Sequence, residues 1–148
     1  MNKLGNILAV LVLLMIGLSF SSVIIHLIFS LVLISIQELI IYLHSTVFML
    51  GIVYAFHHDK HVRIDIFYQN HNANKKKKIN LVGSMVLLIP FFIFIVYVSY
   101  GYVYSSWSKL EGSPESGGLP LVFVLKSLIL ILPLSMISYA LFKIMRNK

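Results

Sequence analysis

The side chains in this 148-residue chain that invite metal, haem or proton chemistry are six histidines, one carboxylate at the head of an apolar segment, and one lysine inside another. His57 and His61 stand i, i+4 apart, a spacing that can hold a metal on one helical face. Membrane di-iron chemistry needs several such pairs, and this is the one present. Bis-histidine haem ligation needs two inward-facing histidines at matching depth. His26 and His44 are the histidines within apolar segments, and both read as near the outer edge. Glu38 likewise reads as near a membrane edge, a poor position for the mid-depth carboxylate of a proton relay or a self-sufficient exporter. The expectation is therefore no enzyme: no catalytic residue, no cofactor and no resident metal. Cysteine is absent, which excludes disulfides.

The second apolar segment carries a polar pattern instead. Gln37, His44 and Gly51 are seven apart and share a helical face with Ile41, Phe48 and Ala55. Glu38, Tyr42, Ser45 and Met49 form the neighbouring stripe. Polar groups facing lipid are costly, so this side should face protein, either a helix of the same chain or a larger membrane partner. Lys126, the basic residue well inside the last apolar segment, either snorkels outward or pairs with Glu38 in the same leaflet.

Two connections are distinctive. The first, from His57 to Tyr68, holds His61, Arg63 and Asp65, and reads as a short interfacial helix in which His61 and Asp65 can pair at i, i+4. Lys75, Lys76, Lys77 and Lys78 then form a topology anchor and a contact for anionic lipids. The second connection follows Trp107 and contains Glu111, Ser113, Pro114, Gly117, Gly118 and Pro120, a turn-rich stretch read as a mobile outer loop open to an external partner.

The elements that position these residues follow from composition. The chain is 59% hydrophobic and 11% charged, against about 25% charged in soluble domains. Lipid must be its solvent. Four apolar runs are long enough to span, approximately residues 5–29, 36–56, 79–104 and 119–144 of one membrane domain covering 1–148. An outer connection around 30–35 is expected between the first two. The first run is too long for a signal-peptide core and reads as a retained helix. The net charge of +7 sits in the 57–78 connection and at the C-terminus, which places both termini inside and excludes a nucleic-acid surface. Trp107, Tyr100, Tyr102 and Tyr104 then form an outer aromatic belt. Pro90 and Pro133 should bend the third and fourth spans. No matched pair of broken helices marks a substrate site of its own. The fold class is thus an all-α membrane protein, four transmembrane helices with a cytoplasmic interfacial helix between spans two and three, N-in and C-in, expected to pack as a four-helix bundle.

One family fits these residues. The run Gln37-Glu38-Leu39-Ile40-Ile41-Tyr42-Leu43-His44, then Gly51, Tyr54-Ala55 and His61-Val62-Arg63-Ile64-Asp65-Ile66-Phe67-Tyr68, resembles the small permease subunit of TRAP transporters, the DctQ-like family. So do Ser106-Trp107, Glu111, Ser113, Gly117-Gly118-Leu119-Pro120 and Lys126. The similarity covers about Gln37 to Pro133 and is closest to the branch associated with α-keto acids, mannitol or chloroaromatic acids. His26-Leu27 departs from an Arg-Tyr pair common in the family, and the N-terminus is shorter. The resemblance implies a subunit of the bacterial inner membrane. Its partners would be a large permease subunit, which binds the coupling sodium and moves an organic acid, and a periplasmic solute-binding protein. It implies packing or partner contact for Gln37, Glu38 and His44. His61, Arg63 and Asp65 would fix the interfacial helix, and Gly117 to Pro120 would shape the outer surface. The competing readings are a four-helix haem-binding anchor and a small self-sufficient exporter.

Overall fold

A chain in lipid must satisfy its backbone internally, and long apolar runs do so as helices. The computed structural model describes residues 3–57, 75, 79 and 81–146. Four helices within it are long and apolar enough to cross a membrane: α1, Lys3–Phe29; α2, Ile34–His57; α3, Leu81–Ser108; and α4, Val122–Arg146. At 1.5 Å per residue they run to roughly 36–42 Å, beyond the ~30 Å hydrocarbon layer, so each has about a turn to spare at its ends. Among the described residues all regular structure is helical. Six hydroxyls inside the helices are satisfied locally. Ser19, Ser21, Thr46, Ser127, Ser135 and Ser138 each donate to the carbonyl four residues back at 2.7–2.9 Å.

The helix ends explain where the expected boundaries move. Ser30 takes a left-handed φ of 53°, and its N–H reaches the His26 carbonyl at 2.9 Å, which stops α1. Ile36 and Gln37 then donate to the Leu33 carbonyl, so α2 starts earlier than expected and the connection shrinks to residues 30–33. α3 extends past 104 to include Trp107. α4 begins at Val122 rather than 119, because Pro120 holds Leu119 away from helical backbone. Pro90 was expected to bend its helix; what stands before it is a π-helical turn, Ser84–Leu88, in which the Ile89 N–H bonds Ser84 O, five residues back. Proline cannot donate to the carbonyl at 86, and a wider turn absorbs that loss. Pro133 is fully buried within α4.

The packing differs from the expected bundle. α1 packs on α2, α2 on α4, and α4 on α3, with no comparably packed fourth side to close the set. The helices form an open row with α1 and α3 at its ends. A row buries little: among the described residues, the core is Leu8, Val103, Ser106, Pro133, Met136 and Ala140. α1 and α2 meet closely where Gly5 faces Tyr54, since a Cβ there would lie 2.9 Å from the phenol oxygen. The 30–33 connection and the α3–α4 loop lie at the same end of the row, because the head of α2 touches that loop.

Candidate interaction site at the loop end

α2 presents two different faces. Glu38, Tyr42, Ser45 and Met49 are half-buried and turn toward the row. Gln37, Ile41, His44 and Phe48 are exposed. The His44 ring stacks on Phe48 of the same helix, with centroids 6.5 Å apart, and neither the His44 imidazole nor the Gln37 side-chain amide hydrogen-bonds a described residue. Packing among the described residues therefore does not explain that face. His44 lies ten residues beyond Ile34, about 15 Å along the helix, which puts it near mid-membrane rather than at the outer edge. Gly51, half-buried on the same helix, has open space where a Cβ would project.

Glu38 reaches into the α3–α4 loop. One carboxylate oxygen accepts the Ser113 hydroxyl, and the other accepts the Leu119 N–H at 2.6 Å. The loop is closed above that grip. The Ser113 N–H bonds Leu119 O at 3.0 Å, the Gly118 N–H bonds Glu115 O at 3.0 Å, and the Glu115 N–H bonds the Ser113 hydroxyl at 3.1 Å. Gly117 turns the chain at φ 82°, and Gly112 lies against Pro120. Gly118 is pressed onto the clasp, where a Cβ would stand 2.7 Å from Glu38 Oε1. This loop is a hydrogen-bonded unit, in contrast to the mobile connection expected from its serine, proline and glycine content.

Lys126 does not pair with Glu38. Its ammonium meets Glu111 Oε2 at 2.5 Å and lies 4.0 Å over the Tyr102 ring. The α3–α4 hairpin brings these three groups together, while Glu38 is already occupied by neutral donors of the loop. The lysine side chain is 13% exposed and the glutamate 39%. Hydrogen bonding to Lys126 holds the Glu111 carboxyl below the usual carboxylate range. Trp107 also serves the hairpin. Its Nε1–H donates to Ser127 Oγ at 2.8 Å, and its ring meets Phe123 edge-on at 4.8 Å.

His61, Arg63 and Asp65, the expected interfacial helix and the His57/His61 pairing lie outside the described residues. Among the described residues, no three of His, Asp and Glu converge as metal ligands. The arrangement holds shape and charge at one end of a membrane row, and offers contacts rather than bond-making groups. A family model described as "Tripartite ATP-independent periplasmic transporters, DctQ component" matches residues 6–147. The chain belongs to this family. It is a multi-pass membrane protein and a transporter component. Searches of curated proteins and of solved structures returned no match. The DctQ family match takes in nearly all of the four helices and all three connections, so the clasp and the exposed α2 face lie within the matched region.

Ser113, Tyr102, Ser127 and the Leu119 N–H carry contacts that sequence reading did not assign. The Glu38–Ser113 contact spans 75 residues, and no local pattern announces it. For Tyr102 and Lys126 a signal did exist, since both sit near the start of a hairpin that must pair them.

Proposed function

We propose that this chain is the small membrane subunit of a TRAP secondary transporter, scaffolding a large permease subunit for sodium-coupled uptake of an organic acid. The observation that carries the scaffold role is the exposed Gln37–His44 face, with an imidazole near mid-membrane that no described residue satisfies. Polar groups at that depth face protein, and the family description names a tripartite assembly. The open row supports the same reading, since it leaves two broad faces for a larger neighbour. In this reading sodium and solute bind the large subunit. The termini and the 57–78 connection face the cytoplasm of a bacterial inner membrane. The α3–α4 loop faces the periplasm, where a solute-binding protein docks. Gln37, His44 and Gly51 meet the large subunit, while His61, Arg63 and Asp65 anchor the cytoplasmic side.

The test is a mild-detergent pulldown of the tagged chain from its native membrane, with mass spectrometry of what is retained. A large multi-span protein and a periplasmic solute-binding protein are expected with the wild type. His44→Leu should retain the large protein roughly five-fold less well, the worth of one intramembrane hydrogen bond. Recovery of the chain alone, or of redox proteins carrying haem, overturns the reading.

A further inference from the structure

The α3–α4 loop is closed by its own hydrogen bonds, yet it is gripped from a helix that belongs to neither of its flanks. Glu38 sits on α2, and its two oxygens take Ser113 and the Leu119 N–H, the two points where the loop's neck closes. Both donors are neutral. Lys126, on α4, is engaged by Glu111 and Tyr102. Glu38 therefore commits both carboxylate oxygens to holding loop geometry. The grip leaves Pro114, Glu115, Ser116 and Gly117 exposed on the far side of the neck. Gly118 permits it, since a side chain there would displace Ser113 and Glu38 together. One residue before Glu38, Gln37 begins the exposed face of the same helix.

We infer that Glu38 is a positioning residue that ties the membrane-docking helix α2 to the shape of the loop met by the periplasmic component. This rests on the subunit reading above. A shift of α2 against its large partner is passed to the loop through two hydrogen bonds rather than through the loop's own flanks. The loop thus presents one conformation when α2 is seated.

The experiment uses the complex of this chain with its large subunit in nanodiscs, titrated with the periplasmic component recovered in the pulldown. Glu38→Ala should weaken binding of that component roughly ten-fold, with retention of the large subunit unchanged. Glu38→Gln, which keeps one good acceptor, should fall between the two. A merely structural glutamate would lower retention of the large subunit and leave the affinity of surviving complexes at the wild-type value; that result overturns the inference. So does unaltered affinity with full retention. If Glu38→Ala fails to assemble, Glu38→Gln decides, because it keeps the side chain's size and one acceptor while denying the other to Ser113 or to the Leu119 N–H. Weakened binding supports the inference, and wild-type binding overturns it. A wild-type chain that retains no large subunit at all refutes the subunit reading instead.

Discussion

Replacing Gly118 with alanine isolates the energetics of the clasp. Its φ is not in the left-handed region, so alanine brings no backbone strain there, and the effect is purely one of space. The new methyl would stand 2.7 Å from Glu38 Oε1 and 2.5 Å from Ser113 Cβ, distances at which something must move. Ser113 is tied to the loop neck and Glu38 to a helix, so the bonds between them give way. Each hydrogen bond to a charged acceptor is worth about 1.5–3 kcal/mol. The lower end suits a half-buried carboxylate, so losing both is worth roughly 3 kcal/mol. That opens the loop about 100-fold more often. A glutamate-specific protease reads this directly, because cleavage after Glu115 requires the loop to open and tracks the open population. Gly118→Ala should be cut about 100-fold faster than wild type. Gly117→Ala, which carries only the strain of φ 82°, should be cut about 5–30-fold faster for a cost of roughly 1–2 kcal/mol. Cleavage of Gly118→Ala within two-fold of wild type would refute the steric reasoning.

Other outcomes follow from the hairpin. Trp107→Phe keeps the ring on Phe123 but removes the bond to Ser127. It should lower thermal stability in detergent by about 1 kcal/mol, with Ser127→Ala adding little in the double variant. Glu111 has a folded pKa below its unfolded value. Its contribution is therefore full above the ordinary carboxylate value of about 4.3 and is lost as pH falls through the folded value. Melting curves from pH 7 down to 3 should show an acid loss that Glu111→Gln reduces. Lys126→Met should return the Glu111 pKa toward the ordinary range, readable by the carboxyl signal in NMR or infrared titration.

The four spans were legible because lipid allows no other use of long apolar runs. The Pro90 distortion was legible because proline removes a donor wherever it stands. The order of packing was not, since apolar faces toward lipid and toward helices look alike in composition. That is why a closed bundle was expected where a row is found. The Lys126–Glu38 pairing failed for a related reason. Two opposite charges in one leaflet suggested each other, but the hairpin offered Lys126 a nearer carboxylate at Glu111 and offered Glu38 two neutral donors. His44 was set too shallow: it stands ten residues, about 15 Å, inside a helix of 24 residues, close to its middle. Gln37 and His44 stood out in the sequence as a polar face, and among the described residues the structure leaves that face exposed.

The open row has a consequence for how this protein resists unfolding. Among the described residues each helix packs chiefly on its immediate neighbours, as repeats do in a solenoid, and stability becomes largely a sum over three junctions. Damage at α1 or α3 forfeits one junction, while damage at α2 or α4 forfeits two. The end helices can therefore peel away separately while the α2–α4 centre persists, and a neighbour lying along the row would be what turns four semi-independent rods into a single cooperative unit.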